Sequence, residues 1–168
     1  MKKLSSEYKR LFRDKRYKKS LLIGIILLAL AGIASALAIG YADRVIGNSV
    51  GDLFLDNLPT FNLFWFRTYG VALITISILF FAIIKPKYLP SLSKTVGLMY
   101  IIRAFFIAIT HLKFYPEKII VPEDYPIFGN ILSPGNDLFF SGHVAFPFLA
   151  ALIFWNNKKI RYYLLLAA

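Results

Sequence analysis

The chain has 168 residues, of which 58% are hydrophobic and only 17% charged, with a formal net charge of +11 and no cysteine. Long apolar runs at that composition exclude an ordinary soluble domain and point to an all-α, polytopic integral membrane bundle. The missing cysteines exclude a disulfide framework and any Cys-containing metal site. Because the positive charge lies beside apolar spans, anionic lipid is the expected partner and nucleic acid is not.

Residues 1–20 carry nine Lys or Arg against Glu7 and Asp14, with Leu4, Tyr8, Leu11 and Phe12 at helical spacing. This pattern predicts a basic amphipathic helix on the cytoplasmic leaflet, held by anionic lipids at about 1 kcal/mol per basic residue. A cluster that merely sets topology would read the same way. The remainder, 21–168, forms one transmembrane domain. Residues 21–41 hold no charge and, at ~1.5 Å per residue, are long enough to cross a ~30 Å hydrocarbon layer. Ala34-Ser35-Ala36 mimics a signal-peptide cleavage site, but the apolar run exceeds the ~7–15 residues of a secretory signal, so a retained first span is expected. Gly32, Ala36 and Gly40, four apart, suggest a face that packs closely on a neighbouring helix.

Residues 42–67 form a mixed connection with Asp43, Asp52 and Asp56 and an aromatic belt through Phe54, Phe61, Phe64, Trp65 and Phe66. Further spans are expected at about 68–84, 96–112 and 138–155, with the start of a fifth at 162–168. A basic turn through Lys85, Lys87 and Lys94 joins the second and third. A long connection rich in proline and acid, 113–137, precedes the fourth, in which Pro147 predicts a kink or a late helix onset. Residues 156–161 form another basic turn. Basic and acidic connections alternate, so the amino terminus is expected in the cytoplasm and the acidic connections outside.

Two places in the apolar sequence call for chemistry. Ser141-Gly142-His143 stands where the acidic connection meets the fourth span, at its outer end. A helix start offers free N–H groups and a positive dipole end to an oxyanion, the serine adds a donor, and the glycine lets the anion approach the backbone. Histidine is suited to proton transfer near neutral pH. The plainer alternative is an N-cap, with Asp137 or Ser141 as the cap and His143 merely interfacial. Arg103 interrupts the third span, and Thr110 falls almost two turns later on its face. A guanidinium matches phosphate oxygens bidentately. Pairing with Asp56 or Asp137, or snorkelling toward water, would also explain an arginine there.

These residues resemble the type 2 phosphatidic acid phosphatase superfamily, and within it the sphingomyelin synthase-like branch. The resemblance rests on 135–143, Gly-Asn-Asp-Leu-Phe-Phe-Ser-Gly-His, on Arg103 followed by Thr110 and Leu112, and more weakly on the loop 52–59. It implies a six-helix fold, of which this chain supplies four complete spans and part of a fifth. It also implies phosphoryl chemistry on a phospholipid at the outer or lumenal face, without metal or other cofactor. His143 would be the general acid, and Ser141, Gly142 and Arg103 would bind the phosphoryl oxygens, with Asp137 and Thr110 in support. In such enzymes a second histidine, backed by an aspartate further along, attacks phosphorus. This chain departs there, because its only other histidine is His111, which has tyrosine rather than aspartate four residues on and reads as interfacial. Two readings follow: a lipid phosphatase or phosphotransferase whose remaining helices lie elsewhere, or a membrane protein that keeps the headgroup cradle without the reaction. Incomplete spans would also favour oligomerisation.

Overall fold

The computed structural model describes residues 2–42, 44–45, 64–110 and 141–168, with side chains from residue 4 and, in the third helix, from residue 69. Every regular element among them is helical. In chain order they are α1 (Lys2–Arg13), α2 (Lys15–Ala42), α3 (Phe64–Ile84), a single 3₁₀ turn (Pro86–Tyr88), α4 (Leu89–Ile109), α5 (Gly142–Ile153) and α6 (Lys158–Leu166).

The basic amphipathic helix expected at the amino terminus is present as α1. It stops at Asp14, whose carboxylate accepts the Arg16 N–H at 2.8 Å and so caps the start of α2. Helix α2 therefore begins six residues before the apolar run. Lysine and arginine are good helix formers, and their stems can lie along an apolar surface while their heads reach water. A hydropathy window reports the buried stretch, whereas the hydrogen-bonded helix extends beyond it.

Two helical stretches, Lys15–Ala42 and Pro86–Ile109, are long and apolar enough to cross a membrane. Their apolar side chains mostly face outward, with Leu37 70% and Phe105 61% exposed. A core helix of a soluble protein would hide them. The other expected spans appear as shorter apolar helices, Tyr69–Ile84 and Gly142–Ile153.

Two expected turns belong to helices instead. Residues 90–94 lie inside α4, because Pro90 occupies the first turn, where its missing N–H leaves no bond unmade. Residues 158–161 open α6, whose Asn157 cap accepts the Ile160 N–H at 3.4 Å. The turn itself is 154–157, closed by Asn157 N–H on the Phe154 carbonyl at 2.8 Å. At its other end α4 stops at Ile109, with Thr110 extended, rather than running to 112.

Helices α2 and α4 run side by side in the same direction. Gly24 meets Ser93, Gly97 meets the backbone of Leu27 and Leu28, and Ala38 and Ala42 share a buried cluster with Ala104 and Ile107. The buried positions of α2 include Tyr17, Gly24, Ala31 and Ala38, and those of α4 include Pro90, Gly97 and Ala104, each set seven apart. A seven-residue period keeps one seam of each helix against the other, and small residues along it let the backbones approach. The expected stripe of Gly32, Ala36 and Gly40 is not this seam: Gly32 and Ala36 are exposed, and nothing lies within 4 Å of a Cβ built on Gly32 or Gly40.

A second core joins α3, α4, α5 and α6. Ile78 and Ala82 of α3, Leu92 of α4, Ala150, Ala151 and Phe154, and Ile160 and Leu164 of α6 form one buried cluster. Phe154 is fully buried and its ring lies 4.9 Å from that of Tyr88. At the same end the Tyr17 hydroxyl donates to the Pro86 carbonyl at 2.7 Å, and Tyr8 to Ile83 at 2.9 Å. The three basic stretches thus lie together at one end of the bundle.

Candidate functional site

The site forms where α5 starts against α4. Ser141 is the N-cap residue, in an extended conformation with φ −65° and ψ 106°. Its carbonyl accepts the Ala145 N–H at 3.1 Å, closing the first helical turn. Its side chain makes no capping bond. The plain N-cap role for Ser141 is therefore not the role its hydroxyl plays. The N–H groups of the first turn of any helix have no acceptor inside the helix. Here they belong to Gly142, His143 and Val144.

Gly142 brings that helix start to Arg103. A Cβ built on Gly142 would lie 3.6 Å from the Tyr100 hydroxyl and 3.7 Å from Arg103 Nε. Residues 39 apart in the sequence are thus in direct proximity, which joins the two places that the apolar sequence singled out. Arg103 is half-buried and His143 exposed. The Arg103 guanidinium carbon stands 5.9 Å from the Tyr100 ring centroid. That is near the ~6 Å limit of cation–π attraction, so the ring guides the guanidinium more than it binds it.

Pro147 lies inside α5, whose first helical residue is Gly142. Helix α5 spans 12 residues, about 18 Å at ~1.5 Å per residue, which is short of a ~30 Å layer. Its start lies beside Tyr100 and Arg103, and α4 continues six residues past Arg103 to Ile109, about 9 Å further. The Ser-Gly-His element is therefore recessed along α4 rather than standing level with its end. A helix start set partway along a neighbouring helix presents its dipole end and first N–H groups short of that neighbour's end.

The remaining expected participants stand apart. Thr110 ends α4, and its hydroxyl donates to the Phe106 carbonyl at 2.6 Å, a local bond that already uses its proton. Asp137, His111 and Asp56 lie outside the described residues. Among the described residues there is no group of three or more metal-ligating side chains.

Tyr100 is a further member of this cluster. Its signal in the sequence is that a residue three before Arg103 shares its helix face, but an aromatic residue in an apolar span is ordinarily packing. Its hydroxyl beside Gly142 adds a neutral donor to the arginine, the serine and the helix start. Tyr100→Phe keeps the ring and removes the donor, and is expected to weaken binding of an oxyanion beside Gly142 by about two- to tenfold, the net worth of a hydrogen bond of ~0.5–1.5 kcal/mol. Titration of a short-chain phosphatidic acid against both proteins checks this, with unchanged thermal stability in the absence of lipid. Comparison with protein families, with curated proteins and with solved structures finds no match for this chain.

Proposed function

We propose that this chain is a multi-pass membrane protein that holds the phosphate of a phospholipid headgroup between the start of α5 and Arg103, and acts there as a lipid phosphatase or phosphotransferase. The observation that carries the reading is the placement of Gly142 against Arg103 Nε and the Tyr100 hydroxyl. A guanidinium, the Tyr100 hydroxyl and the N–H end of a helix start meet where only a hydrogen stands on Cα, with the Ser141 hydroxyl next in the chain. That donor set suits a tetrahedral oxyanion.

His143, one residue into α5 and exposed, gives its proton to the leaving alcohol oxygen as the phosphoryl group passes to a nucleophile that the described residues do not supply. Arg103, Ser141 and the backbone at Gly142 hold the non-bridging oxygens as charge develops on them. The likeness of 135–143 and of Arg103 to the sphingomyelin synthase-like branch of the type 2 phosphatidic acid phosphatases supports phosphoryl transfer in particular. A phosphohistidine-type mechanism of that kind calls for a second histidine as nucleophile, and His143 is the only histidine among the described residues. That observation favours, as a second reading, a protein that binds the headgroup without turning it over. The clustering of the three basic stretches at one end supports a cytoplasmic location for that end, and with it an outer or lumenal location for the site.

Phosphate release or transfer from labelled phospholipids, measured on the reconstituted chain beside His143→Ala, tests the catalytic reading. Loss of a positioned general acid is expected to slow the reaction by about 10²- to 10⁴-fold. An active wild type with an equally active variant would remove His143 from the mechanism. Inactive but folded protein that still binds phosphatidic acid would establish the binding reading.

A further inference from the structure

We infer that the basic end of the bundle is a composite binding surface for anionic lipid headgroups, assembled from three segments far apart in the sequence. Exposed Arg13, Lys18 and Lys19 come from the α1–α2 junction, Lys87 from the 3₁₀ turn, and Lys158 and Lys159 from the start of α6. They are held together by bonds and packing that do not involve the charges themselves. Tyr17 donates to the Pro86 carbonyl, Tyr8 to the Ile83 carbonyl, and Tyr88 packs on the buried Phe154. The charges are thus brought together by the fold and are not free to spread apart, although they repel one another.

Glu7 and Asp14 are the only acids among the described residues, so the surface is not neutralised from within the described parts. An anionic partner relieves that repulsion. The features beside the charges select a lipid over a soluble polyanion. Arg161 lies with its guanidinium carbon 4.4 Å from the Trp155 ring and 4.8 Å from the Tyr162 ring, and donates to the Trp155 carbonyl at 3.4 Å. Both rings are more than half exposed. Exposed tryptophan and tyrosine beside arginine and lysine, at the end of helices with exposed apolar sides, match the boundary where headgroups meet acyl chains. A nucleic acid or an acidic peptide would meet the charges but have no use for the apolar sides below them.

This inference is independent of the phosphoryl-transfer reading, because it concerns the opposite end of the molecule. It predicts that anionic lipid binds the folded state through all three segments at once. The experiment is a thermal unfolding series on the whole protein in dodecylmaltoside micelles, titrated with dioleoylphosphatidylglycerol or dioleoylphosphatidylcholine. The midpoint is expected to rise more with phosphatidylglycerol than with phosphatidylcholine, whose phosphate the Arg103 site can also hold, and added salt should suppress the difference. Each basic residue near an anionic surface is worth about a factor of five in affinity. The double variant Lys158→Gln/Lys159→Gln should therefore need roughly thirtyfold more phosphatidylglycerol for the same rise, with an unchanged midpoint before lipid is added. Equal responses to both lipids would overturn the inference, as would no response to either. So would a double variant that responds like the wild type while Arg13→Gln/Lys18→Gln loses the effect, since α1 and the start of α2 would then act alone. A polyphosphate chain that raises the midpoint as well as the anionic lipid does would overturn the choice of occupant.

Discussion

Arg103→Gln is expected to reduce phosphoryl transfer by about 10²- to 10³-fold, the usual loss when one group that stabilises developing oxyanion charge is removed. Glutamine keeps the length and a hydrogen-bonding end but loses the charge and the fork. Arg103→Lys keeps the charge and loses the fork, so it should fall between the two. The position of Nε beside Gly142 makes the prediction specific to Arg103. Arginine placed in an apolar helix only to snorkel toward water would tolerate lysine with little loss. Rates of release from labelled phosphatidic acid by the three proteins, each with its thermal midpoint, separate these cases. A lysine variant indistinguishable from wild type would point to a structural role for the charge.

The second large effect is structural. Gly97→Leu is expected to destabilise the bundle by more than the ~1–3 kcal/mol of ordinary overpacking. A Cβ at position 97 would lie 2.9 Å from both the carbonyl carbon and the Cβ of Leu27, and 3.0 Å from the Leu28 nitrogen. Two of those three atoms belong to the backbone, so no side chain can rotate out of the way and the two helices must separate. Because α2 and α4 pack along this seam, separation also strips contacts from Ala31, Ala38 and Ala104. Gly32→Leu, on the open side of α2, should leave stability within about 0.5 kcal/mol. The fraction folded in detergent across a temperature series measures both. Comparable losses in the two variants would mean that the seam lies on the other face.

The contrast between those glycines shows how far the sequence could be read. Small residues fall on nearly every face of α2, from Gly24 through Ala31, Gly32, Ala36 and Ala38 to Gly40 and Ala42. A spacing of four and a spacing of seven both fit that composition, and the choice depends on where Gly97 and Ala104 stand on a helix more than fifty residues away. Hydropathy located the apolar stretches correctly but not the helix ends. Those ends depend on local devices such as the Asp14 cap and Pro90 in a first turn, which hydropathy ignores. At the candidate site, Ser141, His143 and Arg103 stood out in the sequence because polar groups in apolar surroundings are costly, and the structure adds that Gly142 approaches Arg103. Tyr100 did not stand out, because an aromatic residue costs nothing there, and only the tertiary approach of α5 gives its hydroxyl a neighbour. The recessed depth of the helix start was equally hidden, since it follows from where α5 meets α4.

The measurement that bears most directly on the account is protection of the folded protein by a single soluble phospholipid. At a salt concentration that suppresses lipid binding at the basic end, dioctanoyl phosphatidic acid should raise the thermal midpoint of the wild type saturably, while dioctanoylglycerol, which lacks the phosphate, should not. Gly142→Val fills the space beside Arg103 and the Tyr100 hydroxyl, where an alanine methyl would make only ordinary contacts at 3.6 and 3.7 Å. Gly142→Val and Arg103→Gln should each weaken that protection by at least about tenfold, and Gly142→Ala should weaken it far less. Equal protection of wild type, Gly142→Val and Arg103→Gln would contradict the account and place phosphate recognition elsewhere on the chain.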